Sequence, residues 1–142
     1  MKRSEDCIFC KIVAGDVPGI KIYEDDTTLA IMDIMPINQG HLLVIPKEHF
    51  GSITEIDPDL YGHLHSVVCA LSRAVQAALE PDGLNVQQLN GKAANQLVPH
   101  LHIHLVPRWH GDGVTISSWE PVMGDTEKIK STAEAIKSKL SR

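Results

Sequence analysis

Three histidines spaced two residues apart are the strongest chemical feature of the sequence. His100, His102 and His104 alternate with apolar residues in the segment Pro99–Arg108. Alternate side chains of a β-strand point to the same face, so this spacing predicts three imidazoles on one face, about 6.6 Å apart. Because like charges disfavour protonation, we expect at least one imidazole to be neutral near pH 7. A neutral imidazole can act as a nucleophile or as a metal ligand, and the spacing alone allows both.

A pair of cysteines near the start forms a second chemical motif. Cys7 and Cys10 have the C-x-x-C spacing of half a tetrahedral zinc site, which needs two more ligands from elsewhere in the chain. The pair could also be two reduced thiols without metal, or a redox motif, although no strand-to-helix context precedes it. A third cysteine, Cys69, falls within the apolar pattern of a long helix, and we expect it in the core.

Five strands and two amphipathic helices are predicted to position these motifs. Alternation and turn residues predict strands over 20–23, 28–33, 41–45, 84–89 and 100–106, and a short helical turn closed by Gly15. The clearest helix follows Asp57, which precedes a proline, and its apolar spacing continues to Leu79. A second helix is predicted over 129–140. Strands that cluster rather than alternate with helices indicate an α+β fold with an antiparallel sheet.

Composition narrows the classes of function. The formal net charge is −5, from 13 basic and 18 acidic residues, which argues against a binder of duplex nucleic acid. Aromatic residues make up 4% of the chain, which argues against a stacking platform for single strands. No apolar run approaches the ~20 residues of a membrane span, and the start turns acidic where a signal peptide turns apolar. We therefore expect a cytoplasmic protein with no nucleic-acid or membrane partner.

Further sequence blocks surround the histidine segment in a distinctive order. They are CIFCKI at 7–12, LAIMDI at 29–34, HLLVIPK at 41–47, NG at 90–91 and QLVPH at 96–100. Together with the alternating histidines, they resemble the histidine triad (HIT) family of nucleotide hydrolases and transferases, most closely the bacterial-type members with a zinc-binding cysteine pair. The resemblance implies a HIT-like fold: a five-stranded antiparallel sheet with one long helix and a C-terminal helix, in a single domain spanning 1–142.

The resemblance implies a site for nucleotide hydrolysis on the triad. His102 corresponds to the family's nucleophile, which attacks the α-phosphorus of a purine nucleotide and forms a nucleotidyl-histidine. Water then releases the nucleoside monophosphate. We expect the other ring nitrogen of His102 to donate to a backbone carbonyl, which would determine the tautomer. His104 and His41 resemble the histidines that line the phosphate site, and Gln96 resembles the polar residue near the bridging oxygen.

The same resemblance implies residues for the rest of the nucleotide. Asp33 matches the acid that accepts from the ribose hydroxyls, Asn90 a donor to phosphate or ribose, and Val98 a backbone contact to phosphate. Apolar walls around the purine are implied at Ile8, Phe9, Ile12, Ile31 and Ile34. One position departs from the family pattern: Asn95 stands where glycine often precedes the glutamine, and asparagine tolerates positive φ better than most residues.

A metal site and a quaternary structure also follow from the resemblance. Members of the family with this cysteine pair hold structural zinc, and the corresponding ligands here are Cys7, Cys10, His49 and His100. Such a site leaves His102 and His104 for chemistry. Family members of this size are typically homodimers with a sheet that runs across the interface, so we expect a homodimer.

Three functional hypotheses stay open at this point. The first is a hydrolase with a histidine nucleophile, acting on a nucleoside phosphoramidate or a dinucleoside polyphosphate. The second is a zinc hydrolase with its catalytic metal on His100, His102 and His104, which gives the cysteine pair no role. The third is a nucleotide- or partner-binding module without catalysis on the same fold.

Overall fold

A single antiparallel sheet carries the residues singled out above. The structure is a computed structural model that describes residues 2–116 and 119–141. Its strands are β1 (Lys21–Glu24), β2 (Thr28–Met32), β3 (Leu42–Pro46), β4 (Gly83–Gln88) and β5 (Ile103–Arg108). They lie in the order β1-β2-β3-β5-β4, and every neighbouring pair is antiparallel. The predicted α+β fold is confirmed.

Three α-helices accompany the sheet: α1 (Ile8–Ala14), α2 (Pro58–Leu79) and α3 (Thr126–Lys139). Gly15 ends α1 at φ +83°, as the glycine in the sequence predicts. The Asp57 carboxylate accepts the Leu60 N–H and so caps α2. A short 3₁₀ turn, Lys92–Ala94, lies between β4 and β5. Within the described ranges, no helix is long and apolar enough to cross a membrane.

The two faces of the sheet have different partners. Helices α2 and α3 cover one face, where their apolar side chains form a core cluster with Leu101, Ile103 and Leu105. Helix α1 covers the other face, where Phe9 contacts the rings of His100 and His102 at centroid distances of 5.7 and 5.1 Å. The predicted alternation is therefore correct, because the apolar residues enter the core and the histidines face α1.

The strand that carries the triad is shorter than predicted. It begins at Ile103, because the N–H groups of His100 and Leu101 donate outside the ladder, to Val98 O at 2.8 Å and Phe50 O at 2.7 Å. As a result the His100 side chain points toward the cysteine pair and away from His102 and His104. The rings of His102 and His104 lie 4.7 Å apart between centroids, closer than a regular strand predicts.

The prediction that Cys69 lies in the core is wrong, because this residue is exposed. The buried stripe of α2 runs through Leu64, Val68, Leu71 and Val75. One step along an α-helix rotates a side chain by about 100°, so the residue after Val68 leaves this stripe. Proximity in sequence to apolar residues was a poor guide at this position.

Candidate active site and metal centre

The ring of His102 is held in one tautomer by a backbone contact. Its Nδ1 lies 2.7 Å from the carbonyl oxygen of His100, and only an N–H can pair with that acceptor. The hydrogen therefore sits on Nδ1, and Nε2 keeps a free lone pair. His102 is buried, and this burial lowers its pKa, against the opposing effect of the His100 carbonyl. The expected hydrogen bond to a backbone carbonyl is present.

A second pair of histidines forms a directed chain of hydrogen bonds behind the triad. The Ile37 N–H donates to His41 Nδ1 at 3.0 Å, so the hydrogen of a neutral His41 must be on Nε2. That Nε2 lies 3.0 Å from His104 Nδ1, which must accept. The hydrogen of His104 is consequently on its own Nε2. Burial, followed by the charges of neighbouring histidines, lowers the pKa of His41 and of His104 to about 3, so both rings are neutral near pH 7.

Asp33 is a partly buried carboxyl group beside this chain. Its Oδ1 accepts the Met35 N–H at 2.9 Å, and its Oδ2 lies 3.6 Å from His41 Nε2. Burial raises the pKa of Asp33 to about 6, against the lowering effect of the Met35 hydrogen bond. A carboxyl group with so few partners can accept hydrogen bonds from a ligand.

A cleft opens between α1, the end of β2 and the triad segment, and we call it the histidine cleft. Nine of the predicted site residues line it: His102, His104, Asp33, Val98, Ile8, Phe9, Ile12, Ile31 and Ile34. Phe9, Ile12 and Ile31 are also members of the core cluster under α1, so their two roles overlap. Ile8 and Ile34 are exposed at the cleft. The combination of apolar walls and a few polar groups at one end is typical of a small-molecule site.

Two predicted residues lie behind the cleft and not on its wall. Gln96 is buried, donates from Nε2 to the carbonyls of Gly51 and Val98, and accepts the Gly91 N–H at Oε1. Asn90 accepts the Ile53 N–H and pairs with Gln88. These contacts shape the loop between β4 and β5, and direct contact of either side chain with a nucleotide stays a prediction.

The loop also explains the departure from the family pattern. Asn95 has φ +69° and follows the 3₁₀ turn in the left-handed region. A glycine would adopt this conformation freely, and asparagine is one of the few other residues that does so at low cost. The expectation that this loop tolerates asparagine is therefore confirmed.

The four predicted metal ligands converge at the start of α1. His100 Nδ1 lies 3.2 Å from Cys7 Sγ, 3.6 Å from Cys10 Sγ and 3.1 Å from His49 Nδ1. His49 Nδ1 lies 3.4 Å from Cys10 Sγ. Zinc bond lengths in a tetrahedral site imply separations of ~3.6 Å between sulfur and nitrogen and ~3.3 Å between nitrogens. These four donor atoms therefore form a group that could bind a metal ion.

The surroundings of this group match a metal centre as well. His100 donates from Nε2 to Pro46 O at 2.9 Å, which leaves Nδ1 as the free lone pair beside the cysteines. Burial raises the pKa of the Cys7 thiol, so a nearby cation is needed to hold it as a thiolate near neutral pH. The carbonyl of the same His100 accepts the hydrogen bond that orients His102, so His100 links the metal group to the triad.

The sequence predictions missed several residues of the cleft, among them an aromatic one. Trp119 lines the histidine cleft, and its ring lies 5.9 Å from the ring of His41 and 6.4 Å from that of His104. It follows β5 in a segment without strand or helix periodicity, in the part of the chain that carries no family signature. The only signal in the sequence was its residue type, because the chain has two tryptophans in all.

Comparison with known proteins identifies the family. A family model described as the HIT domain matches residues 14–111. Protein hit of Bacillus subtilis is 45% identical over 114 residues, which cover 80% of this chain and 79% of that protein. An adenosine 5′-monophosphoramidase of Schizosaccharomyces pombe is 38% identical over 134 residues, covering 94% and 98%. An adenylylsulfatase of Arabidopsis thaliana is 42% identical over 107 residues, covering 75% of this chain and 54% of that longer protein.

Solved structures agree in fold. A HIT-like protein of Bartonella henselae has a TM-score of 0.89 at 34% identity and covers 99% of this chain and 100% of its own. A zinc-bound histidine triad protein of Mycobacterium smegmatis has a TM-score of 0.84 at 38% identity, covering 95% and 93%. With the triad, the cysteine pair and the sheet in the arrangement described above, this chain belongs to the histidine triad family.

Proposed function

We propose that this protein is a nucleotide-binding hydrolase that acts through a covalent nucleotidyl-histidine on His102. Its substrates would be purine nucleoside 5′-phosphate derivatives, cleaved at the α-phosphate to release the nucleoside monophosphate. The observation that carries the proposal is the hydrogen bond from His102 Nδ1 to the carbonyl of His100, which leaves the Nε2 lone pair free at the cleft. A neutral imidazole held in this way is a competent nucleophile.

The reaction consists of two displacements at phosphorus. First, the Nε2 lone pair of His102 forms a bond to the α-phosphorus. The bond between phosphorus and the leaving group breaks, and the leaving group departs with the electron pair. A sulfate or phosphate leaves as an anion, and an amine takes a proton from solvent. Water then bonds to phosphorus, the P–N bond returns its electron pair to Nε2, and one proton goes to solvent. The Nε2–H of His104, backed by His41, supplies a hydrogen bond to the phosphate.

The rest of the cleft supports a nucleoside as the bound group. The apolar wall formed by Phe9, Ile12 and Ile31 suits a planar purine, and Asp33 can accept from ribose hydroxyls. Two relatives carry names that refer to adenylyl sulfate and to adenosine phosphoramidate, which supports an adenylyl substrate with a variable leaving group. Val98, Asn90 and Gln96 belong to the proposal as residues that form the loop around the phosphate.

We further propose that the group of Cys7, Cys10, His49 and His100 holds structural zinc. The ion would supply the positive charge that keeps the buried thiols ionised and would tie α1 to the triad segment. The catalytic-zinc hypothesis has less support, because His100 Nδ1 faces the cysteines and His102 Nδ1 is engaged by a carbonyl. The zinc-bound state of the similar Mycobacterium smegmatis protein supports a zinc site in this chain.

Dimerisation and location complete the proposal. β4 is an edge strand of the sheet, so its outer backbone groups and its 47%-exposed Val86 are available to a partner strand. We propose that β4 pairs with its copy in a homodimer. A cytoplasmic location is also proposed, since zinc thiolates persist where thiols are kept reduced.

Release of monophosphate tests the function directly. The protein would be incubated with adenosine phosphoramidate, adenosine 5′-phosphosulfate, and diadenosine tri- and tetraphosphate. We expect AMP release by wild type and by His110→Ala, a control at an exposed histidine outside the cleft, and none by His102→Ala. Equal release by His102→Ala would disprove the nucleophile. AMP binding without release from any substrate would favour the binding-module hypothesis.

A further inference from the structure

Hydrogen bonds anchor the chain after β5 at two places, one before and one after Trp119 in sequence. At one end Arg108 donates from Nε and Nη2 to the Asp112 carboxylate, which also accepts the N–H groups of Trp109 and Val114. At the other end the Gly124 N–H donates to Ile34 O at 2.9 Å. Trp119 lies between these anchors in sequence, and its ring lines the cleft.

The indole of Trp119 carries an unused hydrogen-bond donor. Its Nε1 is buried and has no partner, and it is the one such side-chain atom in the part of the chain that the structure describes. Buried polar groups in native proteins are nearly always paired, so an unpaired one calls for an explanation. The residue as a whole is only partly buried and lines the cleft.

The surroundings of the indole indicate which part of a ligand it meets. Its ring packs edge-on against His41 and His104, at interplanar angles of 70° and 76°. His104 lines the cleft together with His102, and His41 lies behind them. A donor beside these histidines would meet oxyanions and not the base.

We propose that Trp119 is a ligand-binding residue of the histidine cleft, whose indole N–H donates to an anionic phosphate oxygen of the bound nucleotide. The inference rests on the proposed function for the identity of the ligand. In the free protein the N–H is covered by protein atoms, so the indole turns when the ligand binds. A ligand without an oxyanion leaves this donor unpaired, and the site thereby selects for charged ligands over neutral nucleosides.

Binding of AMP and of adenosine to Trp119→Phe tests the proposal without any turnover. Phenylalanine keeps a smaller aromatic ring and removes the N–H donor. We expect Kd for AMP, measured by calorimetry, to rise at least about tenfold, as for loss of a hydrogen bond to a charged group. We expect Kd for adenosine to change less than about twofold, which also shows that the variant is folded. Trp109→Phe, at the chain's other tryptophan and outside the cleft, is the matched control and should bind both ligands as wild type does.

Fluorescence gives a second readout in the Trp109→Phe protein, where Trp119 is the only tryptophan emitter. AMP should shift its emission, and adenosine should do so much less. Equal binding of AMP by wild type and Trp119→Phe would overturn the inference and leave the hydrolase proposal standing. Equal weakening of AMP and adenosine would overturn it too, because Trp119 would then contact the nucleoside. A wild-type protein that binds neither ligand would contradict both proposals.

Discussion

Replacement of Asp33 by asparagine should stabilise the protein near neutral pH. Burial raises the pKa of this carboxyl from its ordinary 3.8 to about 6, so ionisation at higher pH destabilises the folded state. Between these two values the folded protein holds a proton that the unfolded chain releases, and stability falls as pH rises through this window. The difference between the two pKa values corresponds to a loss of about 3 kcal/mol in the free energy of unfolding above pH 7.

Asparagine preserves the contacts that matter for folding. Its Oδ1 can still accept the Met35 N–H, and the 3.6 Å approach of Oδ2 to His41 Nε2 is too long for a strong hydrogen bond. We therefore expect Asp33→Asn to be more stable than wild type by up to about 3 kcal/mol at pH 8. The same two pKa values predict a gain of about 1.6 kcal/mol at pH 5. If the proposed contact to ribose is correct, the stabilised variant should bind AMP more weakly.

Urea unfolding of wild type and Asp33→Asn at pH 5 and pH 8 measures these gains. Subtracting the free energy of unfolding of wild type from that of the variant at each pH cancels the contribution of every titrating group that both proteins contain. Asp25→Asn is the matched control with the opposite sign. Asp25 accepts from Tyr23 OH and the Thr27 and Thr28 N–H groups, and lies 2.7 Å from His63 Nε2. These contacts lower its pKa despite burial, so its replacement should cost about 1–3 kcal/mol at pH 7. A loss of stability in Asp33→Asn that is larger at pH 8 than at pH 5 would refute the reasoning.

Three further predictions follow from other parts of the molecule. Removal of metal by a chelator should lower the thermal unfolding temperature and zinc content together; loss of turnover with unchanged stability would instead indicate a catalytic metal. Asn95→Val should cost about 1–2 kcal/mol in chemical unfolding because of its φ of +69°, whereas Asn95→Gly should be tolerated, and equal costs would contradict the strain argument. If the proposed homodimer forms through β4, Val86→Lys should give a monomer in light scattering where wild type is a dimer, and an unchanged dimer would place the interface elsewhere.

Local patterns were sufficient to predict most of the architecture. The helix α2 follows from the Asp57-Pro58 start and from apolar spacing, and the strands follow from alternation between turn residues. The triad alternation likewise predicts which residues enter the core, because each strand residue has only two faces available. The cysteine pair alone indicates half of a metal site, and the remaining ligands came from the resemblance to the family.

Only the tertiary structure decided how these parts meet. Where the chain departs from the strand, the Leu101 N–H donates to Phe50 O and His100 Nε2 donates to Pro46 O, and no local pattern places either carbonyl there. The tautomer of His104 depends on His41, which comes from a distant part of the chain, whereas the partners of His102 and His41 lie two and four residues away in sequence. Trp119 packs against His41 and His104, and no local pattern places it there. Sequence periodicity specifies faces and spacings along one element, whereas hydrogen bonding between distant segments depends on how the whole chain packs.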